Sequence, residues 1–96
     1  MSKNEVLETL SRFQLDEGKR YRILRIGVFG SVARGEISPG SDVDVVVELK
    51  DPDLLALVGI KQDLETLLER PVDVIRYREK MNAFLKQRID REAIYA

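Results

Sequence analysis

Residues 28–49 read Val28-Phe29-Gly30-Ser31-Val32-Ala33-Arg34-Gly35-Glu36-Ile37-Ser38-Pro39-Gly40-Ser41-Asp42-Val43-Asp44-Val45-Val46-Val47-Glu48-Leu49. This stretch decides the fold. Ile23, Leu24, Ile26, Val28 and Phe29 supply the β-branched, aliphatic and aromatic content of a strand from about residue 23 to Phe29. Gly30-Ser31 stops that strand, and Ser31 to Gly35 is long enough for one helical turn before the Glu36–Ser41 loop, in which Ser38 and Ser41 shape the turn. Asp42 to Leu49 then alternates: the aspartates share one face of a second strand, and Val43, Val45 and Val47 share the other.

Upstream, Ser2 and Glu5 have the spacing of a capping box, and Val6, Leu7, Leu10 and Phe13 recur at helical intervals, which predicts a first helix of about three turns. Downstream, Asp51-Pro52 reads as an N-cap followed by a first-turn proline. The apolar stripe Leu57, Ile60, Leu64, Leu67 and Leu68 predicts a helix over 52–69. Gly59 within it costs about 1 kcal/mol relative to alanine, so it marks a close contact. Pro71 ends that helix, Val72-Asp73-Val74-Ile75 begins a third strand, and Met81, Phe84, Leu85 and Ile89 place a last helix over 81–92.

The expected fold is α/β, in the order α-β-α-β-α-β-α: a small mixed three-stranded sheet flanked by helices. The long helix between the second and third strands implies a parallel crossover, whereas the short link between the first two permits an antiparallel pair. Ninety-six residues make one domain, 1–96. An apolar content of 44 % against 34 % charged residues predicts a folded core. Sixteen basic against seventeen acidic side chains, a net charge of −1, argue against nucleic acid as the direct partner. No cysteine or histidine is present, so chemistry must come from carboxylates, hydroxyls and cations. The N-terminus is charged where a secretory signal would be apolar, and no run is long enough to enter a membrane, so the expected location is cytoplasmic.

Gly30-Ser31, Asp42-x-Asp44 and Asp73 are each, taken alone, more often turn or surface chemistry than a site. Together they match what phosphate chemistry needs. Carboxylates at i and i+2 on a strand can share a divalent cation, which demands oxygen ligands. Asp73, flanked by two core-facing valines, points to the polar side, and a neighbouring strand would set it beside the pair. Three such carboxylates could hold two metals about 3.5–4 Å apart, the arrangement that clamps both oxygens of an in-line displacement. Gly30 lets a phosphate approach the backbone, and Ser31 adds a hydroxyl donor. Arg34 is either a triphosphate contact or a solvated surface charge. No Walker or Rossmann glycine pattern occurs.

The spacing Gly30-Ser31, ten residues, Asp42-Val43-Asp44 resembles the signature of the DNA polymerase β-type nucleotidyltransferase superfamily. The segment Val28–Glu36 with Ser41–Asp44 is similar to its minimal nucleotidyltransferase (MNT) branch. The resemblance runs from about Ile26 to Tyr95. It implies a nucleotidyltransferase fold and transfer of AMP from ATP to an acceptor hydroxyl with Mg²⁺, two ions being expected. Asp42, Asp44 and Asp73 would be metal ligands and catalytic carboxylates, with Asp73 helping to deprotonate the acceptor. Gly30 and Ser31 would hold the triphosphate. The resemblance also implies a HEPN-domain ribonuclease toxin as partner, modified on tyrosine, with this chain as antitoxin. A non-catalytic antitoxin that neutralises by occlusion, and nucleotidyl transfer to RNA or a small molecule, are the alternatives. Apolar positions left over on the first and last helices, Phe13, Phe84 or Tyr95, are the candidates for a partner surface.

Overall fold

A computed structural model describes all of residues 1–96. The chain runs α1 (Lys3–Tyr21), β1 (Ile23–Phe29), α2 (Gly30–Ala33), β2 (Val43–Leu49), α3 (Leu54–Leu68), β3 (Val72–Arg76), α4 (Ala83–Glu92) and β4 (Ile94–Tyr95). The strands form one mixed sheet in the order β3-β2-β1-β4. β1 and β2 are antiparallel, β2 and β3 parallel across the α3 crossover, and β4 returns antiparallel to β1.

Both faces of the sheet are covered. Val43, Val45 and Val47 join Ile26 and Val28 under α1 and α3 in a core of 18 buried residues that includes Val6, Leu10, Ile60 and Leu64. Phe29 and Val46 project to the other face and close against Ile89 of α4, with Ile75, Tyr77, Leu85 and Tyr95 around them. The alternation along β2 thus carries two faces rather than one, since the even-numbered valine is as dry as the odd ones.

The structure corrects several expectations. α1 spans 19 residues, more than the three turns expected, because it continues through Gln14 to Tyr21 and ends only where Arg22 enters the left-handed region at φ 56°. Its start is as read: Ser2 Oγ accepts the Glu5 N–H at 3.2 Å. α3 is capped by Asp53, whose carboxylate accepts from Leu55 N and Ala56 N at 3.0 and 3.3 Å. Asp51 is instead drawn into an ion pair with Arg22, leaving Pro52 outside the helix. The buried stripe of α3 is Ala56, Ile60, Leu64 and Leu68, whereas Leu67 lies 54 % exposed.

The sheet has four strands, not three. β4 was missed because two residues carry no periodicity, yet Gly27 marks its place: a Cβ there would lie 2.4 Å from the Ile94 carbonyl oxygen and 2.9 Å from Tyr95 Cα. The pairing continues through Ala96 N–H to Ile26 O at 2.9 Å. Phe13 is core, stacked on Tyr21, and Tyr95 is half-buried, so Phe84 alone of the proposed partner-surface residues stands fully out.

Gly59 is where the expected close contact occurs. A Cβ would meet Tyr21 Oη at 2.7 Å and Cε1 at 2.9 Å, and that hydroxyl is fixed by donating to Asp63 Oδ2 at 2.7 Å. Gly59→Ala should therefore lower stability by about 1 kcal/mol or more, despite its better helix propensity, because the Tyr21 ring must shift to admit the methyl and its hydrogen bond to Asp63 must shift with it. Urea denaturation monitored by circular dichroism checks the sign.

Candidate active site

Strand register builds the site. Phe29, the last residue of β1, stands opposite Asp44 on β2, and Asp44 in turn is the parallel partner of Asp73 on β3. Three strands therefore deliver the Gly30 turn and two carboxylates to one end of the sheet. Asp42 lies two residues before Asp44, exposed, where the loop joins β2. That loop is tied down: Arg70 donates to the Ser38 carbonyl at 2.8 Å, Ser41 N–H closes a turn onto Ser38 O at 3.1 Å, and Val43 N–H reaches Pro71 O at 2.9 Å.

Gly30 is held at φ 70°, and any Cβ there would fall 2.4 Å from Asp44 Oδ2. Backbone and carboxylate are in direct apposition, which only glycine permits at this dihedral. Ser31, half-buried, follows in α2, and Arg34 caps that turn. All six residues that the sequence singled out therefore lie on the elements that meet at this end of the sheet.

Two further residues belong here that sequence reasoning missed. Arg88 on α4 approaches Gly30, with Nη2 3.2 Å from the position of a Cβ, and its guanidinium lies over the Phe29 ring at 5.4 Å from the centroid. Glu92, one turn later, accepts from Gly30 N–H at 3.2 Å and from Arg34 Nη1 at 3.0 Å. Both lie about 60 residues from the Gly-Ser turn, and only the docking of α4 brings them in. The one available signal was their i, i+4 spacing on the predicted last helix.

The electrostatics centre on Asp44. Burial raises its carboxyl above the ordinary aspartate value, and the neighbouring Asp73, then Asp42, push the same way. Arg88 and Arg34 oppose this without cancelling it. Uncompensated negative charge gathered at one point suits a cation, and the donors are all carboxylate oxygens, the chemistry that Mg²⁺ prefers. The acidic side chains do not form a closed coordination cluster as they stand. Such closure is not required, because Mg²⁺ is typically held by one or two carboxylates with substrate phosphates completing its shell. The residues fit the ion.

A concavity of about 930 Å³ between α1 and α3 is lined by residues such as Arg12, Arg20, Asp63 and Thr66. It lies across the sheet from Asp44 and contributes nothing to this constellation.

The nucleotidyltransferase domain family matches residues 5–96. The chain belongs to this family and is an enzyme of the nucleotidyl-transferring class. It is 37 % identical over 95 residues to the "Putative protein adenylyltransferase MJ0435" of Methanocaldococcus jannaschii, covering 98 % of this chain and 97 % of that protein. It is 32 % identical over 92 residues to the protein adenylyltransferase MntA of Thermococcus cleftensis, covering 95 % and 92 %. Among solved structures, a "putative minimal nucleotidyltransferase" superposes with a TM-score of 0.80 at 33 % identity, over 98 % of this chain and 95 % of that one. The fold is also that of the MNT antitoxin structure solved with a tri-AMPylated HEPN toxin from Shewanella oneidensis, at TM-score 0.71 and 20 % identity, covering 97 % and 70 %. No helix is long and apolar enough to cross a membrane.

Because Asp44 binds its proton more tightly folded than unfolded, its ionisation opposes folding, and that cost appears as pH rises through the folded value. Metal-free Asp44→Asn should therefore melt higher than the parent at pH 7, and the gain should vanish as pH falls below about 3.9, where the side chain is protonated in both states. Differential scanning calorimetry across pH tests this. Gly30→Ala should do the opposite, lowering the melting temperature at every pH, since both its dihedral and its contact with Asp44 are pH-independent.

Proposed function

We propose that this protein transfers AMP from ATP to a tyrosine hydroxyl of a partner protein of the HEPN toxin type, and thereby acts as its antitoxin. The observation that carries the proposal is the apposition of Gly30 backbone, Asp44 and Asp73 at the ends of three adjacent strands. Two relatives that bear the name protein adenylyltransferase match over nearly their whole length, and a structural neighbour was solved with an AMPylated HEPN toxin, which supports the choice of acceptor.

In this reading, Gly30, Ser31 and Arg34 bind the triphosphate and aim its α-phosphorus at the carboxylates. The acceptor oxygen forms a bond to the α-phosphorus as the bond to the β-phosphate oxygen breaks, and pyrophosphate leaves with that electron pair. The hydroxyl proton passes to Asp73, which projects to the polar side while Val72 and Val74 pack inward. Asp42 and Asp44 would hold Mg²⁺, with Asp73 the third ligand. The ion would supply Lewis-acid stabilisation of charge developing on the phosphoryl oxygens. Arg34 and Arg88 place positive charge beside the same region, the electrostatic support that phosphoryl transfer depends on. The acceptor must approach from outside, since Asp42, Asp73 and Arg34 are all exposed.

Incubation with labelled ATP, Mg²⁺ and a HEPN-type protein found encoded next to this chain should place label on that partner. Asp42→Asn or Asp44→Asn should reduce transfer by on the order of 10²-fold or more while the far-ultraviolet circular dichroism stays unchanged. Substantial transfer by either variant, or full neutralisation of the partner by a chain lacking all three aspartates, would overturn the assignment.

A further inference from the structure

Glu92 is placed where a substrate anion would be expected. Its side chain is 17 % exposed, and its Oε1 accepts both Gly30 N–H at 3.2 Å and Arg34 Nη1 at 3.0 Å. Its other oxygen, Oε2, faces Arg88 Nε and Arg91 Nη2, each at 3.7 Å. Three arginines and a backbone amide thus converge on one carboxylate. A carboxylate oxygen shared between an amide and a guanidinium satisfies the donors that a phosphate oxygen would take.

We infer that Glu92 is an internal counter-anion: its carboxylate occupies the Gly30 and Arg34 donors in the nucleotide-free protein and is displaced by a phosphate group of the bound nucleotide. The inference rests on the nucleotidyl-transfer reading and deepens it. Displacement is favourable because a triphosphate brings several negative charges and Glu92 only one, and because Glu92 has somewhere to go. Its second oxygen already faces Arg88 and Arg91, and closing those 3.7 Å separations would keep the carboxylate paired once Oε1 is released. The exchange therefore strands no buried charge. Arg88 also faces Asp44, so a tighter hold on Glu92 would draw it from that carboxylate as the nucleotide arrives. In the absence of nucleotide, the same contact keeps Arg34 from binding other anions and holds α4 against the Gly30 turn.

A residue that merely positioned Arg34 would behave in the opposite way, and the two roles differ in the sign of one measurement. Titration of the full chain with α,β-methylene-ATP and Mg²⁺ by isothermal calorimetry should show Glu92→Gln binding about threefold or more tightly than the parent, since the amide keeps the shape and loses the competing charge. Glu92→Ala, carried alongside in case the Gln variant does not fold, should show the same gain. Equal or weaker binding by the folded variants, with the parent binding normally, would overturn the counter-anion role and leave the proposed function standing. Absence of binding by parent and variants alike would overturn both.

Discussion

β2 is paired on both edges and buried on both faces, and this constraint governs the rest of the molecule. Val43, Val45, Val46 and Val47 are each at most 1 % exposed, so the strand carries charge only towards its two ends, at Asp44 and at Glu48, which is paired with Arg25. The candidate site gathers at the first of these ends, where Asp44 stands beside Asp73. The neighbouring strands must register so that their own polar residues arrive there: Phe29 opposite Asp44 brings the Gly30 turn, and the parallel partner of Asp44 is Asp73. Sliding either neighbour by one residue would turn its side chains to the opposite face and break both the core and the site together. Stability and chemistry are thus written into the same hydrogen-bond ladders.

The cost of gathering carboxylates falls on Asp44, half-buried beneath the Gly30 backbone with two other aspartates near it. Hydrophobic burial around Val46, Phe29 and Ile89 on one face and the larger core on the other holds this end of the sheet against that repulsion. A site that is electrostatically uncomfortable when empty of cations is a common outcome where function requires charge in a confined place. Arg34 and Arg88 soften the repulsion without removing it, which leaves the carboxylates responsive to a cation.

What the sequence made legible follows from what is local. The three long strands, the antiparallel and parallel pairings, the Ser2 cap and the close contact at Gly59 all depend on periodicity or on a single special residue within a short window. Asp42 and Asp44 were recognisable for the same reason, their spacing on one strand, and Asp73 because it sits between two core-facing valines. The helix start at Asp53 rather than Asp51 escaped because both are competent caps, and a long-range partner, Arg22, decided between them. Arg88 and Glu92 escaped because no pattern near them names their partners. Their roles exist only once α4 is laid over Phe29 and Val46. Phe13 was misjudged as a surface residue because the amphipathic stripe of α1 shows which residues are apolar but not how far round the helix its neighbours reach.

The two residues of β4 are the smallest element of the fold, yet Ala93 alone separates them from Glu92 and the end of α4. Pairing of Ile94 and Tyr95 with Val28 and Gly27 fastens the last helix to the strand that ends in the Gly30 turn. The position of Glu92 relative to the Gly30 amide is therefore set by a short clasp whose grip depends on the missing side chain at residue 27. Any event that loosens the clasp, whether a bulkier residue at 27 or a partner that competes for the β1 edge, would move a charged helix end at the mouth of the site without touching a single aspartate. The edge of the sheet is in this sense a mechanical input to the centre of its chemistry.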